Sequence, residues 1–360
     1  MFIKVENLNE AFVALCKALV NEGVEVTRRG FKCKEIPSAV LVEITNPVDR
    51  YVRIPERKWN KTLGWVESLW LARGDNSLRM PAAYVKNLMN FSDDGEHMRA
   101  GYGPRIRRFG DNFGCMNTSE GVIYRQYRDG TIGVGQDRTD QLRFVIEKFK
   151  QDIDTREAVI TIADPVADDF NAQDTGIDGK ARILRTKDTP CTRSIHFMIV
   201  NGKMNCYVDL RSNDVVWGFS AVNVFNFTLM QEYVAAMVGV PVGSYFHKAD
   251  NLHVYENFYS LVKTVSDKYG ELQIPSGSRY TYVPNYHTLD EFDRLVSKLS
   301  AFEEACRNKN YGAKELSQRY LMGKINDPLF EDWAGVILHY WYPEFNMEFN
   351  NPFLNELFLL

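Results

Sequence analysis

The sequence predicts one α+β domain that carries a C-terminal helical extension. Three observations lead there. Apolar residues recur at helical spacing in several separate stretches, and two strand-like runs bracket Asn201-Gly202. Neither an internal repeat nor a linker-like stretch divides the chain.

Residues 9–22 place Phe12, Leu15, Cys16 and Leu19 on one helical face, and Gly23 marks a stop. The pattern returns over 59–73 through Leu63, Val66 and Trp70 and ends at Gly74. From 75 to 135 the chain is irregular and rich in glycine, asparagine and aspartate. A loop of that length is commonly functional, and its aromatic and arginine residues point the same way. A helix is predicted over about 138–152, with Leu142, Val145, Ile146 and Phe149 on one face, and a strand follows in AVITIAD. The runs SIHFMIV and KMNCYVDL flank Asn201-Gly202, where both residues tolerate positive φ, so a tight hairpin is expected. Residues 221–239 read as a long buried helix, and GSYFHKADNLHVY as a strand entering a loop. Thr288 and Glu291 form a capping-box pattern ahead of Leu295, Val296, Leu299 and Phe302. The remaining tail, with Trp333, Trp341 and several phenylalanines, is too apolar to be disordered.

Of the 360 residues, 45% are hydrophobic and 25% charged, an ordinary globular composition. The net charge of −4 and the lack of a long basic run argue against a nucleic-acid groove. A few local arginines would still suffice for a small anionic substrate. The cysteines at 16, 33, 115, 191, 206 and 306 contain no CxxC pair, so neither a metal site nor a disulfide framework is expected. The segment MFIKVENLNEAF turns polar too soon for a signal peptide, and no apolar run approaches the roughly 20 residues of a membrane span. A soluble cytoplasmic protein is the expectation. Walker, HExxH and GxSxG motifs are absent, and His196, inside an apolar run, reads as a core histidine.

One segment carries chemistry. In TKDTPCTRSIHF, Cys191 follows a proline, precedes Arg193 and stands at a strand entrance; a nearby cation favours the thiolate, the nucleophilic form. Twenty residues on comes Arg211-Ser212-Asn213-Asp214-Val215, then Gly218, Asn223 and a long helix, and later His253-Val254-Tyr255. Upstream lie Glu67-Ser68-Leu69-Trp70 with Gly74-Asp75, Tyr102-Gly103 and Asp154-Thr155-Arg156. In this order and spacing the motifs resemble the thymidylate synthase and nucleotide hydroxymethylase family over about residues 45–260. The wording SNDVVWG and FSDDG…AGYGPR is similar to the hydroxymethylases of bacterial viruses. The resemblance implies a large mixed sheet flanked by helices, a catalytic domain over 1–260, and residues 261–360 as an extension packed on it.

The resemblance also implies roles. Cys191 is the thiolate that adds to C6 of a pyrimidine, which makes C5 a nucleophile toward 5,10-methylenetetrahydrofolate. Arg211 lowers the thiol pKa and binds the substrate phosphate, with a hydrogen bond from Ser212. Arg156 reaches the phosphate of the neighbouring subunit of a homodimer, and Arg50 in NPVDRYVR is a further phosphate candidate. Asn223 reads the base edge, with Asn226 as the other candidate; cytosine-specific branches carry aspartate there, so asparagine favours dUMP. His253 and Tyr255 hold the sugar 3′-hydroxyl, and Asp214 binds the pterin. Glu67 organises protons around the folate, and Tyr102 helps remove the C5 proton.

The chain departs from the family pattern in several places. Thr192 follows the cysteine where histidine is usual, Glu157 replaces the second arginine of a pair, and one extra residue stands before Asn223 and another before His253. The stretch YVKNLMNFSDDGEHMRAGYG lacks the tryptophans that hold the folate of synthases for hydride transfer. Water would then reach the exocyclic carbon, which implies a deoxyuridylate hydroxymethylase. The alternatives are a dCMP or CMP hydroxymethylase, a thymidylate synthase, or a non-catalytic nucleotide- or RNA-binding relative.

Overall fold

The computed structural model describes residues 1–110, 124–126, 132–134, 139–175, 181–184, 186–270, 277–345 and 347–359. Cys115 lies outside them. The strands that matter are β1 (Phe2–Val5), β2 (Val24–Arg28), β3 (Phe31–Glu35), β4 (Val40–Ile44), β5 (Val159–Thr161), β6 (Thr192–Val200), β7 (Lys203–Leu210), β8 (Val242–Ala249) and β9 (Leu252–Tyr255). Six of them form one mixed sheet in the order β1-β4-β8-β7-β6-β5. The expected hairpin joins β6 to β7, with Asn201 at φ 52° and Gly202 at φ 72°, the twin left-handed residues that such a turn requires.

One face of this sheet is the core. Ile195 and Phe197, then Met204, Cys206, Val208 and Leu210, alternate inward with the period-two pattern of their strands. They meet a helix over Val224–Val238 whose residues are almost all buried. The opposite face is only half covered. His196 lies there beside the ring of Tyr207, which stacks on Phe246 at 4.6 Å. His196 is therefore a half-buried sheet-face residue, not the core histidine expected from its apolar neighbours.

The helix expected over 221–239 starts earlier, because Val215–Asn223 is a π-helix that runs straight into Val224–Val238. A π-turn holds one residue more than an α-turn, and such turns recur at functional sites. The extra residue before Asn223 is absorbed here. Among the other helices, α1 (Leu8–Glu22) and α2 (Leu63–Ala72) match their apolar patterns. Tyr102 opens a short helix, Tyr102–Arg107, inside the stretch that reads as irregular.

The C-terminal residues fold as helices. Leu289–Arg307 begins with the expected Thr288/Glu291 capping box, and Pro328–Trp341 packs beside it. Trp333 is fully buried against Trp65 of α2 and donates its indole N–H to the Trp65 carbonyl at 2.8 Å. Apolar residues of this segment and of the sheet domain belong to one continuous core. Among the described residues no helix is long and apolar enough to cross a membrane.

Candidate active site

A cavity of about 190 Å³ opens where the start of β6 meets α2, the helix Tyr102–Arg107 and the π-helix. Cys191, Glu67, Tyr102 and Asn223 all line it, together with Asn226, Asp188 and the apolar side chains of Trp70, Leu71, Leu88 and Met98. Residues scattered over more than 150 positions of sequence thus share one pocket.

Cys191 sits immediately before β6, where the Arg211 backbone N–H donates to its carbonyl at 2.9 Å. The Arg211 guanidinium clamps the same loop through the carbonyls of Pro190 (2.9 Å) and Thr189 (3.0 Å), and lies 3.6 Å from the Cys191 sulfur. Arg211 acts to lower the thiol pKa, as the resemblance implies, but it is not the largest influence. Burial pushes the Cys191 thiol up, and the positive charges of Arg211 and Arg29 only partly offset it, while Asp188 pushes it up further. Burial thus outweighs the two arginines and favours the protonated thiol.

Arg29 was not expected from the sequence. It occupies the β2–β3 turn, with φ 49° followed by Gly30 at φ 84°, and its charge acts on Cys191, His253 and Tyr255. The signal in the sequence was an Arg-Arg-Gly turn between two alternating runs, which is usually a solvated hairpin tip. Arg50, by contrast, is not brought to the pocket. It is buried, donates to Glu232 at 2.5 Å, and lies over the Phe225 ring. A buried arginine already paired with a carboxylate has no charge to offer a phosphate. Arg156 is exposed, away from the cavity, next to His196 at the edge of the half-covered sheet face.

Ser212, Asn251 and His253 form a polar corner beside Arg211. The Asn251 side-chain oxygen accepts from Ser212 at 3.2 Å and lies 2.9 Å from His253 Nδ1, and the His253 and Tyr255 rings meet edge-on at 5.0 Å. Burial lowers the His253 pKa, so it stands here as a neutral hydrogen-bonding ring.

The two candidate asparagines are distinguished by their partners. Asn226 is consumed by orientation work: its amide nitrogen donates to Glu67 at 3.2 Å and its oxygen accepts from Ser68 at 2.9 Å. Asn223 has one side committed, its oxygen accepting from Asn213 Nδ2 at 2.9 Å. Asn213 in turn accepts through Oδ1 from His247 Nε2 at 3.1 Å, and His247 Nδ1 accepts from the Tyr245 hydroxyl at 3.0 Å. Burial lowers the His247 pKa to about 3 and pushes Tyr245 well up, so the imidazole is neutral and the phenol keeps its proton. Since an amide oxygen only accepts, His247 must carry its proton on Nε2, and the relay leaves the Asn223 NH₂ group turned toward the cavity. Gly218 lies beneath this relay; a Cβ there would stand 2.4 Å from Asn213 Nδ2 and 2.8 Å from Asn223 Oδ1.

On the remaining walls, burial raises Glu67 to about 7, against the opposing hydrogen bond from Asn226. The Tyr102 hydroxyl accepts the Thr192 backbone N–H at 3.1 Å, one residue from the nucleophile, and burial raises it to about 12. A protein-family model for thymidylate synthase matches residues 10–278. The chain belongs to the thymidylate synthase family. Among its relatives, a deoxyuridylate hydroxymethyltransferase of Bacillus phage SP01 is 33% identical over 72% of this chain and 61% of its own length. The protein of the same name from Pseudomonas phage M6 is 29% identical over 74% of this chain and 64% of its own length. A thymidylate synthase of Histophilus somni is 24% identical over 79% of this chain and 92% of its own length. The chain thus spans less than two thirds of the length of the two phage relatives.

The pocket also suits the folate that this family uses. Trp70 Nε1 on its wall is shielded from solvent without a partner, whereas Asp214 stands outside the lining, where its Oδ1 caps the π-helix through Val216 N–H at 2.9 Å and Trp217 N–H. A pterin, a flat ring system rich in N–H donors and ring nitrogens, supplies the partner that such a buried group needs.

Proposed function

We propose that this chain is a deoxyuridylate hydroxymethylase, which uses 5,10-methylenetetrahydrofolate and water to convert dUMP to 5-hydroxymethyl-dUMP. The observation that carries the uracil reading is Asn223 on the lining of the Cys191 cavity, its oxygen engaged by the Tyr245–His247–Asn213 relay and its NH₂ group outside that relay. That group donates to O4 of uracil, and the second lone pair of its oxygen accepts from N3–H. Cytosine presents a donor at position 4 and finds no acceptor there.

In this reading Cys191 adds through sulfur to C6 of the base, and Arg211 is both its counter-charge and, with Ser212 and Arg29, a phosphate ligand. His253 and Tyr255 hold the 3′-hydroxyl. The folate supplies a one-carbon unit at the oxidation level of formaldehyde. Asp214 and Trp70 bind its ring, Glu67 holds a proton near it, and Tyr102 orders the water that takes the C5 proton. The stretch before Tyr102, in which synthases carry tryptophan, contributes Leu88 and Met98 to the lining, and neither offers a flat surface to hold the folate for hydride transfer. The half-covered sheet face, with Tyr207 and Phe246 on it and Arg156 at its edge, supports a homodimer with a shared phosphate site. The test is mass spectrometry of products from dUMP, dCMP, UMP and CMP with the folate. A hydroxymethylated product from dUMP is expected, and modification of cytosine nucleotides alone would overturn the assignment of Asn223.

A further inference from the structure

The mechanism above leaves one carboxyl group of the pocket unused. Asp188 lies three positions before Cys191, lines the same cavity, and accepts the Ala100 backbone N–H at 2.8 Å through one oxygen. That is the one hydrogen bond to its carboxyl group among the described residues. Nearby charges act on it from several sides: Arg105 and Arg99 favour its ionised form, and Asp93 opposes it. Arg105 is itself bound to Asp168, and Arg99 to the Ala167 carbonyl, so neither is spent on Asp188. Its negative charge reaches both Cys191 and Tyr102.

A carboxylate beside a nucleophilic thiol works against that thiol, since it disfavours the thiolate. Its presence calls for a compensating use. Glu67 is already tied to Asn226 on the α2 wall, whereas Asp188, three positions before Cys191, lines the same cavity as the apolar side chains of Leu88 and Met98. Burial raises it to about 6, which leaves it mainly ionised at neutral pH yet able to take a proton.

We propose that Asp188 is the general base for water addition, the step that distinguishes a hydroxymethylase from a synthase; this rests on the function proposed above. After loss of tetrahydrofolate, the nucleotide bound through C6 to Cys191 carries an exocyclic C5=CH₂ conjugated with C4=O. The oxygen of water bonds to that methylene carbon, the C=C pair moves through C5 to O4, and Asp188 takes one proton of the water. The C4=O bond then re-forms, C5=C6 is restored, and the C6–S bond breaks to release Cys191 as thiolate. The two protons set free, one from C5 and one from water, equal the two that nitrogen gains as the folate becomes tetrahydrofolate. No oxidant or reductant is consumed.

The test is Asp188→Asn, whose amide oxygen still accepts from Ala100. In a single turnover with 5-tritiated dUMP, tritium release should stay within about threefold of wild type. Hydroxymethyl product should fall roughly 10²–10⁴-fold, the usual worth of a positioned base. With 2-mercaptoethanol present, a thioether of the methylene nucleotide should replace the alcohol. A readout without folate or nucleotide accompanies it: alkylation of Cys191 by iodoacetamide should move to lower pH in the variant, because a neighbouring negative charge is gone. Unchanged hydroxymethyl formation overturns the proposal, as does loss of tritium release to the same degree as product, or an unshifted alkylation profile. If wild type itself yields dTMP, the function reading fails first; if wild type makes the alcohol and the variant does too, this inference fails alone.

Discussion

Replacing Asn223 by aspartate changes one atom at the base-reading position. The side chain keeps its acceptor for Asn213 Nδ2, so the relay through His247 and Tyr245 survives. What is lost is the NH₂ group that faces the cavity; an oxygen takes its place and confronts O4 of uracil, lone pair to lone pair. Leaving that buried acceptor unmatched costs about 1–3 kcal/mol for dUMP, and dCMP gains a bond of similar worth when the carboxyl is protonated, donating to N3 of cytosine while its other oxygen accepts from the 4-amino group. Taking the low end of both, the ratio of kcat/KM for dUMP over dCMP falls by about 30-fold or more, at 1.4 kcal/mol per tenfold. The assay is steady-state kinetics on both nucleotides with saturating folate, with Asn226→Asp as the control. Because Asn226 holds Glu67 and Ser68, its variant should slow both substrates without altering their ratio. An Asn223→Asp enzyme with an unchanged ratio, or a switch produced by Asn226→Asp instead, would refute the reasoning.

Cys191→Ser should lose turnover by more than about 10³-fold and fail to form a covalent complex with 5-fluoro-dUMP, with its urea midpoint unchanged, since the hydroxyl is far less ionised than a thiol. Glu67→Gln should alter the pH dependence of stability. The folded pKa of Glu67, about 7, exceeds the usual value of 4.5, so its contribution is full below about pH 4.5 and is lost as pH rises through 7. Urea titrations should therefore find Gln gaining on wild type between pH 5 and pH 8.5, by on the order of 1–3 kcal/mol after allowance for partial exposure; a constant difference would contradict the shift. Trp333→Ala should cost about 3–5 kcal/mol by denaturant titration, because a fully buried indole and its bond to the Trp65 carbonyl are removed. A loss below about 1 kcal/mol would mean that the C-terminal helices contribute little to the core.

The sequence reveals those parts of this molecule that depend on local pattern or on an ordered motif. Alternation fixes the strands around Asn201-Gly202, Thr288 and Glu291 mark a helix start, and Cys191, Glu67, Tyr102 and Asn223 converge as their motifs imply. What escapes it depends on tertiary neighbours. Arg50 reads as a phosphate candidate because its partner Glu232 is 182 residues away. Arg29 is passed over because nothing nearby in sequence says that a charge at the β2–β3 tip acts on Cys191. The extra residue before Asn223 registers only as an insertion; the π-helix and Gly218 explain how the amide stays in place. The motif likewise shows the nearby arginine, whose charge does lower the Cys191 pKa, but not the depth of burial that raises it more.

The account turns on water, and not hydride, completing the transfer to C5. The direct measurement is a reaction of dUMP and methylenetetrahydrofolate run in oxygen-18 water, with the nucleotide weighed by mass spectrometry and dihydrofolate followed by its absorbance. The prediction is a product heavier than dUMP by CH₂O, labelled with oxygen-18, with no rise in dihydrofolate. An unlabelled product heavier by CH₂, formed together with an equal amount of dihydrofolate, would contradict it.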